Sequence, residues 1–274
     1  MSVRERGKCV PTAEGRVVVL SSIATVAAVA LTLFFCGACH LSGKLPPAPS
    51  NEKYTQQKTL GMIKASRGVL APVYAPLAEQ IVADFKLDKK NGVGIDLGSG
   101  PGTLIVELCK RTRLHWINAD INPHFFPYFY RQAEKYGFGH RVSAISTDAH
   151  ALAFRDNYAD IIVSRGSFHF WEDKVQAFSE IYRVLKPGAE AYIGRGFSRN
   201  LPVQTAKKIR ANRRGKMKYD VEKTADELSD IMNVLGIEDY RIHRPKPPGS
   251  ENVNYGVWVE FHKPRSDKAA NKNY

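Results

Sequence analysis

From residue 54 onward, short apolar runs alternate with longer stretches whose apolar positions recur every three or four residues. "GVGIDL", "LHWINAD", "RVSAIS", "YADIIVS" and "EAYIG" are rich in β-branched residues and bounded by Gly, Asp or Ser, so they read as strands. "EDYRIHRP" and "NYGVWVEFHKP" add two more near the C-terminus. Between the strands, "GVLAPVYAPLAEQIVADF", the residues from Thr103, "HFFPYFYRQAEKYG" and "DKVQAFSEIYRVLKPG" carry helical spacing, the last stopped by Pro187-Gly188. Strands alternating with helices predict an α/β fold: a seven-stranded, mostly parallel sheet with helices on both faces. Ligands of such sheets bind beyond the carboxyl ends of the strands. No internal repeat is present.

The N-terminal pattern is different. Residues 17–38, "VVVLSSIATVAAVALTLFFCGA", contain no charge. As a helix they would span the roughly 30 Å bilayer core, and they exceed the secretory apolar core of about 7–15 residues. The chain therefore divides into a basic flank (1–16), a membrane anchor or signal-like helix (17–38), a Pro/Ser-rich linker (39–53) and a catalytic-type domain (54–274). Arg4, Arg6, Lys8 and Arg16 precede the anchor, while Lys44 and Lys53 follow it. That bias predicts the N-terminus inside and the rest outside.

The apolar run ends in "FFCGACH". Cys36, Cys39 and His40 have the spacing of a c-type haem attachment site. Cys39 also follows small residues, as a lipidated cysteine does, and the stretch equally suits a plain helix end. Nothing downstream has the pattern of a cytochrome and the motif occurs once, which disfavours haem.

Composition adds a charge argument. Of 274 residues, 43% are apolar and 24% charged, an ordinary mixture for a full core; Lys and Arg exceed Asp and Glu by 40 to 27, giving +13. The excess favours an anionic partner: lipid, nucleic acid or an acidic substrate. The stretch from Lys207 to Lys218, "KKIRANRRGKMK", holds seven basic residues and no acid. It suits anionic headgroups beside an anchor, or a solvated helix face. It has no aromatics on which bases could stack, which disfavours nucleic acid. Four scattered cysteines make no disulfide framework, and no metal constellation stands out.

The candidate chemistry lies in the turn Asp96-Leu97-Gly98-Ser99-Gly100-Pro101-Gly102. Glycines let backbone amides approach a ligand, and the following helix N-terminus adds partial positive charge. The dinucleotide pattern G-x-G-x-x-G fails because residue 103 is Thr. An acid followed by G-x-G-x-G, with the motifs after it in order, resembles the class I S-adenosylmethionine methyltransferases of the type 11 group, which includes the ubiquinone/menaquinone C-methyltransferases.

That resemblance implies a Rossmann-like methyltransferase fold and S-adenosylmethionine as methyl donor. It places Asp96 and the turn residues Gly98, Ser99, Gly100 and Gly102 at the methionine moiety. Asp120, with Ile121 beside it, would bind the ribose hydroxyls. Asp148 and the Ala149 backbone would meet the adenine, and Ser164 at the end of the fourth strand completes the set. Two positions depart from the family: Leu152-Ala153-Phe154 replaces Leu-Pro-Phe, and Ala189 stands where a second Gly is usual.

A methyl on sulfur is already activated, so the protein mainly positions and desolvates. His169, on the loop after the fourth strand, is the candidate general base, because imidazole titrates near working pH. Arg165 either holds an anionic substrate or pairs with a nearby acid. Phe168, Phe170 and Trp171 either line a pocket or belong to the core, and the "FFPYFY" cluster (125–130) faces the sheet or a bilayer. The expected activity is methyl transfer to a small-molecule or lipid-like acceptor, such as a quinone precursor, by a membrane-attached enzyme.

Compartment adds a conflict. The charge bias exports the domain, yet the donor is cytosolic. The favoured arrangement is an anchored domain on the cytoplasmic face. The alternative is an exported lipoprotein or haem-bearing envelope protein that uses the fold to bind a ligand without catalysis.

Overall fold

The computed structural model describes residues 56–211 and 220–265. The apolar segment 17–38, the FFCGACH stretch, the linker and the end of the basic run lie outside the described residues. Among the described residues, no helix is long and apolar enough to cross a membrane.

Two helices, α1 (Gln56–Arg67) and α2 (Ala71–Asp84), precede the sheet. Strands and helices then alternate: β1 (Val93–Leu97), α3 (Thr103–Cys109), β2 (His115–Asp120), α4 (Phe126–Lys135), β3 (Val142–Ser146), β4 (Ala159–Arg165), α5 (Lys174–Val184) and β5 (Leu185–Gly196). After α6 (Val203–Ala211) and α7 (Val221–Val234), an antiparallel pair closes the chain: β6 (Tyr240–His243) and β7 (Gly256–His262). The spatial order is β3-β2-β1-β4-β5-β7-β6. Only β7 runs against its neighbours. The expected seven-stranded, mostly parallel sheet is therefore present. The direction of winding reverses between β1 and β4, and ligands bind at such a reversal.

The central strands are apolar throughout because both faces are covered. Side chains alternate between faces along each strand. Ile95, Leu97, Ile117 and Ile162 pack toward Phe178 and Ile181 of α5 and Leu228 of α7. Trp116, Ile161, Val163 and Tyr192 pack toward Leu77 of α2, Leu104 of α3 and Phe129 of α4. A Cβ on Gly94 would lie 2.5 Å from the Trp116 ring, so the missing side chain lets the indole lie across the sheet.

Two local expectations need correction. The fifth helix ends at Val184, not at Pro187-Gly188, because Leu185 turns extended and pairs with Ala159 of β4. The register then shifts, and the Gly188 N–H donates to the Lys263 carbonyl. Sheet pairing thus takes up the residues the helical pattern assigned to a stop. Helix α1 had no apolar signature, since its buried positions are the polar Thr59 and Ser66.

Candidate functional site

The site begins where β1 ends. The Gly98 N–H still donates to the Ala119 carbonyl at 2.7 Å, so the β1–β2 ladder runs one residue past the strand. The chain then turns through Ser99, Gly100 and Pro101. Gly100 is held at both of its backbone polar groups by β2: its N–H donates to Asp120 Oδ2 (2.7 Å), and its carbonyl accepts from Asn118 Nδ2 (3.0 Å). Asn118 and Asp120 are two residues apart and therefore share a face. Gly102 caps α3 with φ +73°, and a Cβ there would run into the Phe129 ring. Only glycine meets both conditions.

The two acids at the strand ends differ in their settings. Asp96 is 2% exposed, and its Oδ2 accepts from Ser99 Oγ at 2.6 Å. Burial pushes its carboxyl up to about 7; the Ser99 hydroxyl opposes this, the charge of Asp120 adds to it, and Arg165 opposes it. Asp120 is 8% exposed and is also raised by burial, against the hydrogen bonds it accepts from the Asn122 and Gly100 amides.

A cavity of about 500 Å³ opens over the ends of β1, β4 and β5. Helices α1 and α2 wall it with Met62, Ser66 and Tyr74, and the far side carries Arg195, Phe197 and Arg210. Hydrogen bonds fix these walls. Thr59 of α1 accepts from Asn122 Nδ2 (3.0 Å), tying the helix to the loop after β2. Gln80 of α2 donates to Tyr192 Oη and accepts from Ser198 Oγ, each at 2.9 Å. The Arg165 guanidinium lies 5.3 Å from the Tyr74 ring centroid. Burial raises the Tyr74 hydroxyl, the charge of Arg165 lowers it, and that of Asp96 raises it.

Asp96, Gly98, Ser99, Gly100, Arg165 and His169 all line this one cavity. Gly102 sits behind the turn, packed on α4, and Asp120 stands behind Gly100. Ile121, Asp148 and Ala149 follow the ends of β2 and β3 and do not line the cavity. The Asp148 side chain is 49% exposed and lies 2.5 Å from His150 Nδ1. The side chain of Ser164 is not brought to the site. The residue is 1% exposed and follows Ile162 on the α5–α7 face, because its neighbour Arg165 takes the cavity face.

The aromatic alternatives resolve by position. Phe168 and Trp171 join the core, whereas Phe170 is 67% exposed at the cavity with its ring 3.9 Å from that of His169. Phe125 and Phe129 are buried within the fold, the latter against the glycine turn. Sequence reasoning missed Asn118, Tyr74, Arg195 and Arg210. Asn118 did leave a signal, as a fully buried amide in an apolar strand. Among the described residues, no group of three His, Cys, Asp or Glu side chains is arranged to hold a metal ion.

These features fit the implied donor. Each Asp120 oxygen accepts one backbone N–H, and a carboxylate oxygen has two lone pairs. One acceptor site per oxygen suits a vicinal diol, as in a ribose. Asp96 is a buried acid whose ionised form a cationic ligand group would stabilise.

Comparison with known proteins gives the same direction. The family model described as a methyltransferase domain, of type 11, matches residues 95–193. A solved structure from Methanococcus maripaludis, described as a candidate S-adenosyl-L-methionine-dependent methyltransferase, is 31% identical with a TM-score of 0.68; the match covers 80% of this chain and 98% of that one. The demethylmenaquinone methyltransferase of Thermus thermophilus is 32% identical over 111 residues, 40% of this chain and 50% of that protein. The chloroplastic 2-methyl-6-phytyl-1,4-hydroquinone methyltransferase of Spinacia oleracea is 33% identical over 106 residues, 38% and 30% respectively. The chain thus spans half or less of these two curated relatives.

Proposed function

The chain belongs to the class I S-adenosylmethionine-dependent methyltransferases of the type 11 group, and from that premise we propose that it transfers a methyl group from S-adenosylmethionine to a small-molecule or lipid-like acceptor. The observation that carries this reading is the pair of buried acids, Asp96 and Asp120, at the ends of adjacent parallel strands, joined by the glycine turn and facing a cavity. Asp120 and the Gly100 turn would hold the ribose, Asp96 the ammonium of the methionine moiety, and Asp148 with Ala149 the adenine. Bound there, S-adenosylmethionine supplies a methyl group activated by positive sulfur.

The chain's own residues then position and shield. Helices α1 and α2 cover the strand ends and limit water. His169, on the cavity wall, takes the proton released by the acceptor. The wall beside it is apolar, with Met62, Leu70, Phe170 and Phe197, which supports an acceptor with an apolar body. The names of the Thermus and spinach relatives, both quinone-type methyltransferases, support the same class. Residues 17–38 would anchor the domain at the membrane, on the cytoplasmic face where the donor is found, with the basic run from Lys207 toward anionic headgroups.

The test is transfer of tritiated methyl from S-adenosylmethionine by the full chain into a membrane lipid extract or a small-molecule extract. Label in either product fraction supports the reading. Donor binding without label in both makes the chain a ligand-binding protein.

A further inference from the structure

Charge is distributed unevenly along the cavity. Asp96 sits on the β1 side, while Arg165, Arg195 and Arg210 come from the ends of β4 and β5 and from α6. Neighbouring strands lie about 4.8 Å apart, so the β5 end is roughly 10 Å from the β1 end. The acids that suit the donor, Asp96 and Asp120, are on β1 and β2. The arginines lie across the switch point, on the side left for the acceptor.

Packing holds two of these guanidinium groups in place. Arg165 stacks at 5.3 Å over Tyr74. Arg210 lies 4.5 Å over the Phe197 ring and donates to the Asn254 carbonyl from Nε (2.9 Å) and Nη2 (2.5 Å). Lys207 and Lys208 of the same basic run are exposed, whereas Ile209 is buried and Arg210 turns inward. The run therefore sends one of its charges into the cavity.

Charge balance sets the requirement. Three arginines less one ionised Asp96 leave the lining formally at +2, and the donor adds one more positive charge: sulfonium and ammonium less carboxylate. Like charges in a confined, poorly hydrated space repel strongly. Resting on the methyltransferase reading above, we propose that the acceptor is an anion whose carboxylate or phosphate is bound by Arg195 and Arg210, with Arg165 between that group and the donor. The planar guanidinium fork matches either oxyanion. Met62 and Phe170 leave room for an apolar body, so the acceptor is an amphipathic anion. Donor and acceptor then favour each other's binding.

The donor's own carboxylate is the competing source of negative charge, and calorimetry on the full chain separates the two. S-adenosylhomocysteine is titrated first; the loaded chain then receives benzoate, inorganic phosphate or neutral benzamide. The expected result is that benzoate binds about tenfold or more tighter than benzamide, or that phosphate binds, and that Arg195→Gln and Arg210→Gln each weaken the anion by about tenfold. S-adenosylhomocysteine affinity should stay within about threefold in both variants. The comparison of benzoate with benzamide on the unaltered chain does not depend on either variant folding. The proposal is overturned if benzamide matches benzoate and phosphate does not bind. It is also overturned if the variants lose S-adenosylhomocysteine and keep the anion response, which would assign the arginines to the donor's carboxylate. Failure of the unaltered chain to bind S-adenosylhomocysteine removes the methyltransferase reading, and this proposal with it.

Discussion

Asp120 accepts the backbone N–H of Gly100 at 2.7 Å from a position twenty residues further along the chain. The acid suited to the donor's ribose therefore also shapes the turn that approaches the donor. Asn118 completes the arrangement by donating to the carbonyl of the same glycine. Binding and loop geometry are thus coupled through β2.

Asp120→Ala should lower affinity for S-adenosylhomocysteine by at least about tenfold, since hydrogen bonds to a charged group are worth about 1.5–3 kcal/mol each. It also orphans the Gly100 and Asn122 amides, so chemical denaturation should show a loss of about 1–3 kcal/mol. Asn118→Ala should lower stability with a smaller effect on affinity. Affinity is read by calorimetry and stability by urea unfolding.

The raised carboxyl of Asp96 predicts a pH dependence. Below about 7 it is protonated and offers no charge to an ammonium, so S-adenosylhomocysteine binding should weaken as pH falls through 7. Asp96→Asn should flatten that profile, and Ser99→Ala should move its midpoint upward because the Ser99 hydroxyl favours the ionised form. Stability of the free chain has the opposite sign. The folded value lies above the unfolded 3.8, so folding takes up a proton in between. Stability falls as pH rises from about 4 to about 7 and then levels. Asp96→Asn should remove that fall.

Gly102→Ala tests the turn's packing. A left-handed non-glycine residue costs about 1–3 kcal/mol, and the new Cβ meets Phe129 as well. The denaturation midpoint should drop clearly. Adding Phe129→Leu should recover only part of the loss, because the backbone cost remains.

Most of this fold was legible because its strands are short, apolar and separated by helices of regular period. The glycine turn and the acids after β1, β2 and β3 were legible because their types and spacing form a motif. The cavity walls were not. Helix α1 buries Thr59 and Ser66 instead of an apolar stripe, and Tyr74 looked like one more apolar position in α2. Arg195 and Arg210 are brought together only by the sheet order and the placement of α6. The end of α5 was misread because pairing of Leu185 with β4 outweighs the stop signal at Pro187-Gly188.

Glu260 offers a contrast remote from the cavity. His243 and His262 lie 2.7 and 3.0 Å from its two oxygens, and the hydrogen bond from His243 leads in holding its carboxyl down at about 2. The stability it contributes is present above about 4.5 and lost as pH falls toward 2. Glu260→Gln should destabilise the chain at pH 7 and leave S-adenosylhomocysteine binding unchanged, as melting and calorimetry would show.

His169→Gln should leave donor affinity within about twofold and lower the rate of methyl transfer by about 10²–10⁴, the usual contribution of a general base. The acidic limb of the rate profile should disappear with it. Loss of donor binding in this variant would instead make His169 part of the donor site.

The central claim is that Asp96, the Gly98–Gly102 turn and Asp120 form a donor site. Calorimetric titration of the full chain with S-adenosylmethionine tests it most directly. The account predicts one site per chain, a dissociation constant of roughly 1–100 μM, in keeping with usual substrate affinities, and a higher melting temperature with ligand. No heat of binding together with an unchanged melting temperature would contradict it.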